Sequence, residues 1–420
     1  MASTYLTRTF GSAGNRRTWT LSLWIKRTGI GGQQNFFGSW ISSSHYERIM
    51  FNNDKIYVSD VESGGTVWQV ETDAVYRDTN AWYHLILRHD TTQSTANDRI
   101  RLYVNNVQQT FGTNSQPAQN RETAINTAIA HKIGMGYNSE YTDCVMSHVH
   151  FCDGYSYAPT EFGETDSTTG EWKIKTSPSV SYGTTGFFIL KDGNSVTDQS
   201  GNSNNFTVGG GTLTKTEDCP SNVFATLNPL QSGSITFSNG NNTQGNTSST
   251  GQNAMTTLGA VAGKFYAEVK CTAVGSNGTN VGFVNLNKSN LMNQSISSGQ
   301  DNFSAGLYSG PNNGPIYYSS ETTFANVGTT SDGDIIQLAM DLDNGYLYWG
   351  RNGTWLNSGD PTSAGSGTGG LATSNLGDGH IGFNMWQRNS ANASWNFGNG
   401  YFGTTAVSSA GTNASGNGIF

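Results

Sequence analysis

Between Asp332 and Gly353 the chain reads Asp-Gly-Asp-Ile-Ile-Gln-Leu-Ala-Met-Asp-Leu-Asp-Asn-Gly-Tyr-Leu-Tyr-Trp-Gly-Arg-Asn-Gly. Ile336, Leu338 and Met340 alternate with residues of the opposite face, a period of two that buries one side of a strand. Asn344-Gly345 and Asn352-Gly353 are pairs that tolerate positive φ, as tight hairpins require. A helix can use neither feature. The segment therefore predicts consecutive antiparallel strands, and a chain that turns its strands this way folds as a β-sandwich.

The rest of the chain agrees. Its 10 Trp, 18 Tyr and 20 Phe supply apolar area for cores, while 53 Gly with only 8 Pro suits many short turns. Long amphipathic helices are hard to find. One all-β unit commonly runs to roughly 200–250 residues, so 420 residues predict two tandem antiparallel sandwiches. The expected division is residues 1–206, a connector over 207–231, and a second sandwich over 232–420. Residues 1–132 carry 13 basic and 10 acidic side chains and the remainder is acidic, with no basic run to track phosphates; nucleic acid is not an expected partner. The start lacks a basic stretch followed by an apolar one, and no segment approaches the roughly 18 apolar residues of a membrane span. The expectation is a soluble chain without a signal peptide or membrane insertion. Cys144, Cys152, Cys219 and Cys271 have no metal-like spacing and are expected as free, mostly buried thiols.

Trp19, Leu21, Leu23 and Ile25 alternate with Thr20, Ser22, Trp24 and Lys26, and Ile100, Leu102 and Val104 alternate with Arg99, Arg101 and Tyr103. Each predicts a strand with one face in a core. The Ser/Asn/Gly/Thr-rich run from Ser238 to Gly251 reads as a mobile loop.

Several motifs carry resemblances. Ala81-Trp-Tyr-His-Leu followed by Arg101-Leu-Tyr-Val-Asn-Asn106 resembles the central strands of laminin-G-like, concanavalin A-like sandwiches, over roughly residues 3–165. Val145–Phe151 corresponds to that family's closing strand, with His148 where a carboxylate is usual and Cys144 where a glycine is usual. Asp332–Gly353, with Gly263–Val269 as an opening strand, resembles the SPRY domain, a binding module. The order of motifs, with Ser200-Gly-Asn-Ser-Asn-Asn-Phe206 and Ala225-Thr-Leu-Asn-Pro229 between the two halves, looks like a family of virion proteins from marine tailed bacteriophages. Such proteins would add one more strand after Gly418-Ile-Phe420, so an incomplete C-terminus is expected.

A concanavalin A-like fold implies a search for catalytic carboxylates. Glycoside hydrolysis needs two carboxyl groups roughly 5–10 Å apart, at alternate positions on one strand face. Glu164-Thr-Asp166 has no third acid at the right offset, and Asp341-Leu-Asp343 runs into a turn, so no catalytic residue is assigned. Asp332, Asp334, Asp341 and Asp343 read better as turn residues than as a calcium cage. Asp192, Asn194 and Asp198, with Asn202, form the oxygen-rich loop at which the laminin-G resemblance implies calcium. His148 and His150 share a strand face, but no third ligand can be named, and a polar outer face accounts for them. Tyr308, Tyr317, Tyr318, Trp355 and Trp386 lie in or beside expected loops and are the candidate sugar contacts. Trp355 and Trp386 come first, because each is flanked by Asn or Gln able to bond hydroxyls.

The resemblances imply a non-enzymatic virion structural protein of tail-fibre or adhesin type that binds host-surface glycan. They also imply other virion proteins as partners and a homo-oligomer, a trimer by analogy with phage fibres. The rivals are a capsid decoration or tail-assembly role, which the absence of a stalk before the first sandwich favours, and a glycan-degrading enzyme.

Overall fold

The computed structural model describes residues 3–191, 195–231, 235–249, 251–275, 278–288, 303–309, 314–318, 322–412, 416 and 418–420. Its strands pair antiparallel throughout, and they divide between two compact units, residues 1–223 and 224–420.

In the first unit an eight-stranded sheet faces a six-stranded one. The larger runs, in spatial order, Phe111–Ser115, Gly65–Thr72, Lys55–Glu62, His45–Asn52, Gln33–Ser42, Ala130–Ile133, Tyr5–Thr9 and Thr207–Gly210. The smaller runs Phe187–Ile189, Cys144–Asp153, Thr18–Arg27, Trp82–Asp90, Ile100–Val104 and Val107–Gln108. The alternation predicted for Trp19, Leu21, Leu23 and Ile25, and for Ile100, Leu102 and Val104, is what fills the space between the sheets. Of the expected connector, residues 207–223 dock on this unit. Thr207–Gly210 pairs with Tyr5–Thr9, and Asp218 accepts from the buried Lys26 ammonium (2.8 Å) and the Trp82 indole (3.1 Å).

The residues expected on the outward face of the smaller sheet are not solvated. A chain segment from Tyr155 to Tyr182 folds back over them and builds a second apolar layer of Ile86, Cys152 and Phe162, flanked by Tyr103, Tyr157, Val180 and Tyr182. Trp24, His84 and Trp172 stack in sequence, with ring centroids 4.6 and 6.0 Å apart. The Trp172 indole donates to His84 Nδ1 at 2.9 Å. His150 is buried against Phe188 (3.9 Å) with its Nδ1 on the Tyr182 hydroxyl (2.9 Å). A bulge at Ser147–His150, with His148 at φ +49°, interrupts the strand but keeps the two histidine rings 6.4 Å apart, both against Phe188 and both buried rather than on a solvated face.

The second unit pairs another large sheet with another six-stranded one. The first runs Ile235–Ser238, Thr243–Asn246, Ala391–Asn396, Lys264–Ala273, Ile335–Asp341, Tyr346–Arg351 and Thr354–Trp355, with Leu371–Ala372 also on Tyr346–Arg351. The second runs Gln252–Met255, Ile381–Gln387, Thr279–Asn285, Ser304–Tyr308, Pro315–Tyr318 and Thr322–Asn326. Ile336, Leu338 and Met340 point into its core, as their alternation predicts. Asn352 (φ +50°) and Gly353 (φ +82°) form the expected two-residue turn. Asn344 does not: that hairpin closes through four residues, with only Gly345 at positive φ and Asn344 bonded to the Asp341 carboxylate. The run expected to be a loop holds the Thr243–Asn246 strand. Its Gln244 and Asn246 are buried, Gln244 accepting from the Trp395 indole (3.2 Å) and Asn246 donating to the Gln387 carbonyl (2.8 Å). Polar side chains here serve as core.

Candidate functional site

The carboxylates expected at turns are all occupied there. Asp332 accepts from Val274 N–H, Asp334 from Ser331 N–H and the Asn352 amide, Asp343 from Gly263 N–H, and Asp341 pairs with Lys264 at 2.9 Å. Of the loop assigned to calcium, Asp192 and Asn194 lie outside the described residues. Asp198 Oδ1 accepts from the backbone N–H groups of Phe188 and Ser200, and Oδ2 from the Ser200 hydroxyl and Asn204 N–H. Four donors saturate a carboxylate. Asn202 gives its amide to the Gly183 and Gly186 carbonyls. The described part of the loop is thus a hydrogen-bonded turn rather than a cation cage, and among the described residues no three His, Cys, Asp or Glu gather as a metal site.

A carboxylate pair does exist, across strands rather than along one. Glu47 and Asp60 are direct cross-strand neighbours and face the interior, 1% and 0% exposed. Glu47 Oε2 accepts from Ile125 N–H (2.7 Å), and Arg121 clamps Asp60 Oδ2 at 3.0 and 2.7 Å. Burial, and then Asp60, push the Glu47 carboxyl up to about 8. Burial raises Asp60 as well. Buried this deeply, the pair is sealed from a saccharide.

The aromatic candidates part company. Trp386 is not a loop residue. It is the penultimate residue of the Ile381–Gln387 strand and 6% exposed, roofed by Gly251 and by the Arg388 guanidinium 5.2 Å from its ring. It stands in a cross-strand row, Asn253–Trp386–Asn280–Tyr308. Trp386 Nε1, Asn253 Nδ2 and Asn280 Oδ1 lack hydrogen-bond partners among the described residues. Tyr308 and Tyr317 do meet, half-buried, at 6.2 Å on that face. Tyr318 turns the other way and packs on the core. Trp355 lies on the opposite sheet, edge-on to Tyr266 at 6.4 Å.

The denser aromatic surface is on the first unit, where no sugar contact was expected. On the outward face of its eight-stranded sheet, register aligns Lys132, Gly38, Arg48, Ser59 and Gln69 in one row. Trp40 opposite Tyr46 flanks it on one side; Asn35, Met50, Tyr57 and Glu71 flank it on the other. The segment after Ala130–Ile133 reverses through Gly134 (φ +85°) and lays Tyr137, Glu140 and Tyr141 over this face. Tyr137 stacks on Tyr46 (4.9 Å, 12°) and meets Trp40 edge-on (6.5 Å). The Lys132 ammonium lies 3.4 Å from the Trp40 ring centre and 5.0 Å from that of Tyr5. Arg48 stands over Tyr46 (5.5 Å) and Tyr57 (5.4 Å) and donates to Glu140 at 3.3 Å. Burial raises the Glu140 carboxyl against the pull of Arg48, and burial lowers the Lys132 ammonium. Gly38 is required here, since a Cβ would stand 2.7 Å from the Glu47 carbonyl; it lies buried between the two cation-bearing strands.

Trp40, Tyr46, Tyr137, Tyr141, Arg48, Lys132 and Glu140 are each half-buried, so the rings are fixed yet present a surface. Rings that offer apolar faces beside fixed donors and acceptors can hold the C–H face of a pyranose and bond its hydroxyls. The signal in the sequence was parity: Tyr46 and Arg48 alternate with the core residues Ile49 and Phe51.

Residues 2–160 match the laminin-G family model described as the Concanavalin A-like lectin/glucanases superfamily. Among solved structures the chain is similar to the SPRY domain of human HERC1 (14% identity, 40% of this chain and 96% of that one, TM-score 0.31). It is also similar to the TRIM65 PSpry domain (12%, 41% and 88%, TM-score 0.32) and to a human SPRY domain (15%, 39% and 95%, TM-score 0.29). No curated protein matches the chain. The described chain is all-β, and its residues 2–160 are similar to concanavalin A-like, laminin-G-type domains.

Proposed function

We propose that the protein is a non-enzymatic glycan-binding protein, a phage virion component of tail-fibre or adhesin type that holds host-surface saccharide on the ring platform of its first unit. The observation that carries the binding is the half-buried set Trp40, Tyr46, Tyr137 and Lys132 on an outward sheet face. The match of residues 2–160 to a superfamily that includes lectins supports it. The phage assignment rests on the order of sequence motifs alone. The non-enzymatic part rests on the Glu47–Asp60 cross-strand pair being buried, out of reach of a saccharide. Other virion proteins and a homo-oligomer remain part of the reading.

A glycan array on the full chain tests it. Binding lost in Trp40→Ala and kept in Trp355→Ala supports the platform; binding indifferent to Trp40→Ala sinks it. Electron microscopy of the particle separates the two structural roles. Density at the tail periphery supports attachment, whereas density spread over the head makes the protein a capsid decoration. Release of reducing sugar would revive an enzyme.

A further inference from the structure

We infer that the platform selects acidic saccharides, with the Lys132 ammonium receiving the carboxylate or sulfate of the ligand. The inference rests on the glycan-binding reading and adds the charge of what is bound.

Lys132 differs from the other cation of the platform. Arg48 is matched by Glu140, whereas among the described residues no carboxylate lies within ion-pair distance of Lys132. Its ammonium is held against Trp40 and Tyr5, half-buried, so it has lost water without gaining a counter-ion. A cation held this way gains most from an arriving anion, because charge-assisted hydrogen bonds strengthen as solvent is excluded. That burial lowers the ammonium's pKa is the same cost seen from the protonation side.

The geometry also gives the anion a place. Lys132 lies directly across from Gly38, and Arg48 across from Gly38 on the far side, so their backbones are about 10 Å apart over two strand spacings. A sugar ring packed against Trp40 brings a substituent toward Lys132, whose ammonium lies 3.4 Å from that ring's centre. The charge preference is local to Lys132, since the unit as a whole, residues 1–223, carries 17 basic and 21 acidic side chains.

Matched polysaccharides test this on the full chain: polygalacturonate against its methyl ester, and carrageenan against agarose. The expected result is tighter retention on the acidic member of at least one pair, weakening with salt. Lys132→Met keeps the alkyl stem over the rings and should lose roughly 10- to 100-fold on that member, the worth of one charge-assisted hydrogen bond, and a clearly smaller factor on its neutral counterpart. Lys132→Arg should restore binding. Unchanged melting would show that Lys132→Met is folded. If acidic and neutral members bind alike, or Lys132→Met binds the acidic one normally, the inference falls while the platform stands. If Trp40→Ala also binds normally, the platform falls with it. Equal retention on single-stranded oligothymidylate would overturn the inference, since any polyanion would then suffice.

Discussion

The first unit treats the outward faces of its two sheets in opposite ways. Both carry aromatics, histidines or cations at positions that alternate with core residues. The six-stranded sheet is roofed by its own chain, so Trp24, His84 and Cys152 become a second interior. The eight-stranded sheet receives the reversal at Tyr137–Tyr141, and although Asn35, Met50, Tyr57 and Ser59 are buried there, Trp40, Tyr46 and Tyr137 stay half open. An outward aromatic therefore says little about recognition until what crosses over it is known. Trp386 repeats the lesson in the second unit, where a tryptophan flanked by amides is interior.

If that contrast is right, truncation costs should sort by face. Phe162→Ala under the roof and Trp386→Ala should each lose roughly 3–5 kcal/mol in denaturant unfolding, as buried aromatics do. Comparable losses from Trp40→Ala would break the contrast. The next effect is in pH. Burial pushes His84 and His89 down to about 3 and His131 to about 4. Their folded values lie below the unfolded ones, so the stability they confer is full above about 6.5 and fades as pH falls toward those values. Glu47 has the opposite sign: raised to about 8, its contribution is full below about 4.5 and fades as pH rises toward 8. The melting of the first unit should peak between those limbs, and Glu47→Gln should flatten the alkaline one. A profile unchanged by Glu47→Gln would refute the assignment. Trp40→Ala should cost only about 1 kcal/mol, within the usual range for a half-exposed site, while abolishing saccharide binding. Trp355→Ala should cost no more than that and leave binding intact; loss of binding there would move the site to the second unit.

Much of this architecture could be read from residues. Strands whose apolar side chains alternate, such as Ile336–Met340 and Ile100–Val104, stand where alternation puts them. The Thr243–Asn246 strand escaped notice because its inward residues are Gln244 and Asn246, whose hydrogen bonds come from distant strands. The platform escaped for a related reason. Lys132 reaches Trp40 only because Ala130–Ile133 inserts between Tyr5–Thr9 and Gln33–Ser42, an order set by long-range pairing. Local pattern fixes which face a residue takes, whereas strand order fixes its company.

The pairing of Tyr5–Thr9 with Thr207–Gly210, and of Lys26 with Asp218, has a consequence for how the chain is made. The earliest strand waits for a partner about two hundred residues behind it, which at roughly 5–20 residues per second means tens of seconds on the ribosome. Until then the edge of Tyr5–Thr9 is unpaired and the Lys26 ammonium lacks its carboxylate. A fragment cut at residue 160, where the family match ends, would keep that nascent condition permanently, and aggregation through the open edge is the expected fate of such a fragment.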